Sequence, residues 1–102
     1  MTQFITLSDI TENIPIEESD ILFANTYVEK LVEGQSFESI PQFLKELAKI
    51  VALERAYLRL SQSEESVYLE KAKAYGQLRK EMEEKLKQSP ISSAFTLGIG
   101  RA

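Results

Sequence analysis

The stretch PQFLKELAKIVALERAYLRL, residues 41–60, decides the fold. Its apolar residues cover more than one face of a helix, and basic side chains spaced from Lys45 to Arg59 mark the remaining side. A helix that is apolar around most of its circumference is buried inside a domain. Ser39 and Pro41 open it, since the missing N–H of a proline costs nothing in a first turn. The sequence therefore predicts a central helix here.

A second helix is predicted before it. Glu17, Glu18, Ser19 and Asp20 suit its first turn, because negative charge is favourable at a helix N-terminus. Gly34 is the predicted C-terminal residue. The apolar residues that recur at offsets of three and four are Ile21, Ala24, Val28 and Leu31, with Val32 beside them.

A long helix after the central one is predicted to run to about Gln88. Gly76 lies inside it and weakens it by roughly 1 kcal/mol relative to alanine, and a close helix crossing is one explanation. The predicted buried residues of this helix are Tyr68, Ala72, Tyr75, Leu78, Met82 and Leu86.

The N-terminal segment predicts a short helical turn. Thr6 or Ser8 caps it, and it runs to about Asn13 before Pro15 stops it. The whole pattern predicts an all-α fold: a small helical bundle of a short N-terminal helix and three longer helices, covering residues 1–89.

Residues 90–102 follow a different pattern, since large apolar residues alternate with small or polar ones. Period two is typical of a strand, which predicts an extended C-terminal arm. An unpaired strand is unstable in water, so the arm pairs with another chain, folds back on residues 4–7, or is disordered. The predicted partner-binding residues are Ile91, Phe95, Leu97, Ile99 and Arg101.

The composition excludes several classes of function. The chain of 102 residues has no His and no Cys, which removes the commonest general base, the thiolate nucleophile and the usual zinc and haem ligands. A net charge of −4 disfavours sequence-independent nucleic-acid binding. No stretch approaches the roughly 18 apolar residues of a membrane span, and residues 1–10 lack the features of a signal peptide. We expect no cofactor, no metal and no membrane contact, and a location in the cytoplasm or in a particle assembled there.

Charge is unevenly distributed along the chain. Residues 1–40 carry eight acidic side chains and one basic one, a net charge of −7, and residues 41–102 carry eight acidic and eleven basic ones, a net charge of +3. This difference is either chance variation on solvated faces or a sign of head-to-tail association between copies.

Catalytic candidates are few. Three pairs of adjacent glutamates lie on helices, where neighbouring side chains point in different directions. Glu54 and Arg55 lie in the most apolar helix and are expected to form an ion pair within or between subunits, or else to lie at the edge of a site. The four tyrosines are expected to be core or interface residues. We expect that the protein is not an enzyme; a pocket with converging Glu, Tyr and Arg side chains would favour one.

The order of these parts resembles the small head–tail connector proteins, also called adaptor or head-completion proteins, of tailed bacteriophages. Residues 4–10, FITLSDI, are similar to the (Y/F)-(I/V)-T-x-x-(D/E)-(L/I) start of that family. An acidic helix, a helix that begins at a proline (residues 41–54) and a long helix (residues 68–82) follow in the family's order. The loop at residues 34–36 is shorter than in the family.

The resemblance implies a structural virion protein that is assembled in the host cytoplasm and lies in the phage neck. It implies a homo-oligomeric ring, commonly a dodecamer, between the portal protein and a neck or tail terminator or stopper protein. Genomic DNA would pass through the lumen without specific contacts, and the C-terminal arm would anchor to a neighbouring chain. The alternatives are a small helical protein-binding regulatory module, phage or bacterial, whose tail orders on a partner, and an accessory subunit of an enzyme.

Overall fold

The computed structural model describes residues 3–33, 37–62 and 66–88. It contains a 3₁₀ turn, Leu7–Asp9, followed by α1 (Glu18–Val32), α2 (Gln42–Ser61) and α3 (Ser66–Gln88). Within those ranges no residue lies in a strand, and the predicted all-α bundle of a short N-terminal helix and three longer helices is confirmed. The boundary predicted at residue 89 and the arm at 90–102 lie outside the described residues.

Helix α2 is the central element, as predicted, and both α1 and α3 pack against it. Pro41 precedes its first turn, where the Pro41 carbonyl oxygen accepts hydrogen bonds from the amides of Leu44 and Lys45 at 3.1 and 3.2 Å. Burial of apolar side chains on two sides of one helix gives the bundle most of its core. The buried residues of α2 are Leu44, Leu47, Ala48, Val51, Ala52, Leu53, Ala56 and Tyr57.

Helix α1 begins as its acidic first turn predicts. The Asp20 carboxylate accepts a hydrogen bond from the backbone amide of Glu17 at 3.0 Å, which satisfies one donor of the helix start. The prediction for Leu31 is wrong, because it is 38% exposed. Each residue turns a helix by about 100°, so Val32, four residues after Val28, occupies the buried position instead. The buried residues of α1 are Asp20, Ile21, Ala24, Asn25, Val28 and Val32.

The end of α1 is formed by a glutamate in the left-handed conformation. Glu33 has φ = 41°, and its amide donates to the Glu29 carbonyl oxygen at 2.9 Å. Left-handed backbone closes a helix readily but costs a side-chain-bearing residue about 1 kcal/mol. Gly34, the predicted C-terminal residue, lies outside the described residues.

Gly76 is a buried position of α3, and the α2 atoms nearest to it belong to the side chain of Glu54 and not to the helix backbone. A Cβ atom built on Gly76 would lie 2.9 Å from Oε2 of Glu54 on α2. The prediction that Leu78 is buried is wrong, since it is 44% exposed. Arg79, the residue after Leu78, faces α2 instead, where it donates a hydrogen bond to Glu54.

The chain before α1 is bound to the bundle by a buried asparagine. Asn25 Oδ1 accepts hydrogen bonds from the amides of Phe4 and Ile5 at 2.9 and 3.1 Å, and Asn25 Nδ2 donates to the Ile5 carbonyl oxygen at 3.1 Å. Phe4 and Ile5 are themselves part of the core. The Asn25 side chain thus makes the hydrogen bonds that a neighbouring strand would otherwise make. The backbone N–H groups of Phe4 and Ile5 both have Asn25 Oδ1 as their acceptor.

The helical turn that follows is shorter than predicted. It ends at Asp9, whose carboxylate accepts a hydrogen bond from the Thr6 amide at 2.7 Å, and Ile10 already has extended backbone. After the turn, Ile10, Ile14 and Ile16 all pack against core residues.

Candidate protein-binding groove

A groove of about 580 Å³ lies where α1, α2 and α3 approach one another. Exposed apolar side chains from two helices, Phe23 of α1 and Leu58 of α2, lie on its walls, and Val51 is part of its buried surface. Exposed large apolar side chains beside a concavity are typical of a binding surface. The charged residues of the groove are Asp20, Glu54, Arg55, Arg59 and Arg79.

Asp20 is a buried carboxylate at one end of the groove. Its side chain is 2% exposed, and one of its oxygens accepts a hydrogen bond from Arg59 at 2.6 Å. Arg59 also lies 3.6 Å from a carboxylate oxygen of Glu17 and donates to the Pro15 carbonyl oxygen at 3.2 Å. A buried charge is tolerated only when it is paired and hydrogen-bonded. The cluster therefore fastens α1 and the preceding loop to the end of α2.

This contact also bears on the charge asymmetry of the chain. Two of the acidic residues from the first forty, Glu17 and Asp20, meet a basic residue of the second part within one molecule. Part of the asymmetry is thus accounted for inside the fold, without a second copy.

A second ion cluster lies at the other side of the groove. Arg79 donates from Nε to Glu54 at 2.6 Å and from a terminal nitrogen to Glu83 at 2.9 Å. The Glu54 carboxylate raises the pKa of the Arg79 guanidinium, and burial opposes that shift. The Tyr27 hydroxyl donates to Glu83 and accepts from Arg79 at 3.0 Å. One guanidinium thus joins all three helices.

The groove does bring Glu, Tyr and Arg side chains together, which is the arrangement that would favour an enzyme. Both oxygens of Glu54 accept hydrogen bonds from Arg79, at 2.6 and 3.4 Å. Burial, followed by the hydrogen bond to Glu83, raises the pKa of the Tyr27 hydroxyl, so this group keeps its proton near neutral pH. Glu54 and Tyr27 are thus both hydrogen-bonded to Arg79, and these bonds hold the three helices together.

Arg55 differs from the other two arginines of the groove. Its guanidinium carbon lies 4.2 Å from the centre of the Phe23 ring, and its nearest carboxylate oxygen, on Asp20, is 3.7 Å from Nε. Among the described residues it donates no hydrogen bond. Glu54 and Arg55 therefore do not pair with each other, because adjacent helix positions point apart, and each contacts a residue of another helix instead.

A tyrosine cluster lies outside the groove and holds the N-terminal loop. The two oxygens of Glu12 accept hydrogen bonds from the hydroxyls of Tyr57 and Tyr75 at 2.9 and 3.1 Å, and the two rings stack with centroids 5.7 Å apart. Burial, with the hydrogen bond to Glu12, raises the pKa of Tyr57 to about 12. Burial and Glu12 also raise the pKa of Tyr75. Tyr57 is a core residue and Tyr75 is partly buried against the core, which agrees with the core or interface positions predicted for the tyrosines.

The partner-binding residues predicted from the sequence, which are Ile91, Phe95, Leu97, Ile99 and Arg101, lie outside the described residues. The groove was not predicted. Its signal in the sequence is Phe23, an apolar residue that does not belong to the buried face of α1, together with Leu58 and Arg55 on the least buried side of α2. Only the packing of the helices brings these three residues together.

Within the described ranges there is no group of three or more acidic residues that could hold a metal ion. None of the described helices combines the length and the apolar character that crossing a membrane requires. Comparison with known proteins finds no matching family model, no matching curated protein and no matching solved structure.

Proposed function

We infer that this protein is a structural component of a tailed-phage virion: a head–tail adaptor that forms a ring in the neck, between the portal and the next neck or tail component. It is not an enzyme in this proposal, and it needs no cofactor. Its C-terminal arm anchors to a neighbouring chain, and DNA passes through the ring without specific contacts.

The observation that carries this proposal is the order of the helices. A short N-terminal turn, an acidic α1, an α2 that begins after Pro41 and a long α3 follow one another in the order that the resemblance to head–tail connectors implies. The motif at residues 4–10 has a structural role in that order, because Phe4 and Ile5 are core residues and Asp9 closes the turn.

The polar clusters hold the helices of one bundle together. The strongest hydrogen bonds of Asp20, Glu54 and Arg79 are made to other helices of the same bundle. A small module whose groove exposes Phe23 and Leu58 suits a protein that presents a surface to its neighbours.

The proposal is tested with the portal protein encoded in the same genome. The full-length chain is mixed with purified portal rings, and complexes are separated by sedimentation and viewed by negative-stain electron microscopy. We expect a ring of added density on one end of the portal. A chain that stays monomeric or dimeric and leaves the portal bare would instead favour a regulatory binding module.

The role of the arm is tested by a double substitution in the full chain, Phe95→Ser with Leu97→Ser. We expect it to weaken portal binding at least about tenfold, because two apolar anchors are lost. Thr96→Ser, between the two positions, is the matched control and should bind as the unmodified chain does. Equal binding by all three proteins would contradict the anchoring role of the arm.

A further inference from the structure

The groove between α1 and α2 has a size that fits a few side chains. Its volume of about 580 Å³ falls within the range of about 300–1,000 Å³ that is usual for ligand-binding pockets. Phe23 and Leu58, on its walls, are 41% and 43% exposed. An occupant therefore gains from burying an apolar side chain against them.

The charges of the groove limit the occupant further. Arg59 is matched by Asp20 and Glu17, and Arg79 is matched by Glu54 and Glu83. Four carboxylates thus surround these two guanidinium groups, which disfavours a polyanion such as a nucleic acid or a phosphorylated lipid surface.

Arg55 differs in degree, because its side chain is 46% exposed and Asp20, 3.7 Å from its Nε, bonds Arg59 more closely, at 2.6 Å. The guanidinium carbon of Arg55 lies 4.2 Å from the centre of the Phe23 ring, and its N–H donors make no hydrogen bond to the described residues. The acceptor that matches the planar fork of a guanidinium best is a single carboxylate.

We propose that the groove binds a segment of a partner protein in which an Asp or Glu side chain lies next to a large apolar side chain. The carboxylate accepts hydrogen bonds from Arg55, and the apolar side chain lies between Phe23 and Leu58. This inference rests on the groove alone and holds for a neck component or for any other protein partner.

The test uses the uniformly ¹⁵N-labelled full chain and the tripeptide acetyl-Phe-Glu-Leu-amide, with acetyl-Phe-Gln-Leu-amide as the comparison. Binding is followed by the amide resonances of Phe23 and Leu58 and by the side-chain Nε–H of Arg55. We expect saturable shifts with a Kd on the order of 1 mM for the Glu peptide. We expect the Gln peptide to bind more weakly, by up to about fivefold, since an exposed ion pair contributes at most about that factor.

Two substitutions assign the effect to the groove. Arg55→Gln should bring the affinity for the Glu peptide down to that for the Gln peptide, and Leu58→Ser should weaken the binding of both. Lys71→Gln, which removes a positive charge from the exposed face of α3, is the matched control and should change neither affinity. Unfolding midpoints of all variants show whether each remains folded.

Several outcomes would overturn the proposal. They are equal binding of both peptides, equally tight binding of inorganic phosphate, and the absence of shifts up to solubility. Shifts of the same resonances with protein concentration alone would assign the groove to a second copy and would also overturn it. None of these outcomes depends on the portal experiment, so the groove proposal and the neck-adaptor proposal fail separately.

Discussion

Asn25→Ala removes the side chain that holds the N-terminal segment to the bundle. Three hydrogen bonds are lost, from the amides of Phe4 and Ile5 and to the carbonyl oxygen of Ile5. Each contributes about 1 kcal/mol, which gives a loss of about 3 kcal/mol. Alanine has a higher helix propensity than asparagine, which offsets about 0.5 kcal/mol of this loss.

The loss has an upper limit, because the segment can leave the bundle and let water satisfy its backbone. That release exposes Phe4 and Ile5, which are 3% and 1% exposed in the folded protein. Exposing two large apolar side chains costs about 3–6 kcal/mol. We therefore expect Asn25→Ala to lower the free energy of unfolding by about 2.5 kcal/mol, a large share of the total for a domain of this size.

The measurement is urea unfolding followed by far-UV circular dichroism, together with amide hydrogen exchange of Phe4 and Ile5. Asn13→Ala makes the same chemical change at an exposed loop position and should change the free energy of unfolding by less than about 0.5 kcal/mol. If Asn25→Ala costs less than about 1 kcal/mol while the Phe4 and Ile5 amides stay protected, the energetic role given to Asn25 is refuted.

Three further predictions concern single positions. Because the pKa of Tyr57 is raised from 10.0 to about 12, its neutral form stabilises the fold below pH 10 and this contribution is lost as pH rises from 10 to 12. Tyr57→Phe should therefore lose stability less steeply over that range in urea unfolding at a series of pH values; equal slopes would contradict this. Gly76→Ala should destabilise the protein, because the new Cβ atom would lie 2.9 Å from Oε2 of Glu54. When Glu54 is also replaced by alanine, Gly76→Ala should instead stabilise the protein by about 1 kcal/mol, because alanine has the higher helix propensity. A double-mutant cycle of unfolding free energies measures the difference, and the same sign in both backgrounds would contradict it. Glu33→Gly should raise the unfolding free energy by about 0.5–1 kcal/mol, since φ is 41° there; a lower thermal midpoint would argue against strain at that position.

The central helix could be predicted because its signal lies within one stretch of chain. Twenty residues with apolar side chains on most faces have few other stable arrangements than a buried helix, and Pro41 sets where it begins. The acidic start of α1 was equally local, because Asp20 caps the amide of Glu17 three residues away.

The errors arose where one helix face had to be chosen over its neighbour. Leu31 and Val32 are both apolar, and only the contact with α2 decides that Val32 is the buried one. Leu78 was assigned to the core by its spacing from Tyr75, whereas the next residue, Arg79, faces α2 and bonds Glu54. Periodicity fixes a face to within one residue, and tertiary packing decides the rest.

The groove could not be predicted because its parts come from distant positions. Arg55 and Phe23 are 32 positions apart in the chain, and the Arg79–Glu54 bond joins two helices across 25 positions. The burial of Asn25 could not be predicted for a related reason. A polar residue on a helix is expected to be exposed unless its hydrogen-bond partners are known, and the partners of Asn25 lie about 20 positions earlier in the chain.

The double hydrogen bond to Glu12 has a consequence for biosynthesis. Glu12 is made early, yet one of its two partners, Tyr75, is 63 positions later. A nascent chain on the ribosome therefore cannot complete this attachment until Tyr75, in the first half of α3, has emerged from the exit tunnel. The loop that carries Glu12 is translated early but reaches its final contacts late, and a chain cut short before Tyr75 would leave this loop only partly attached.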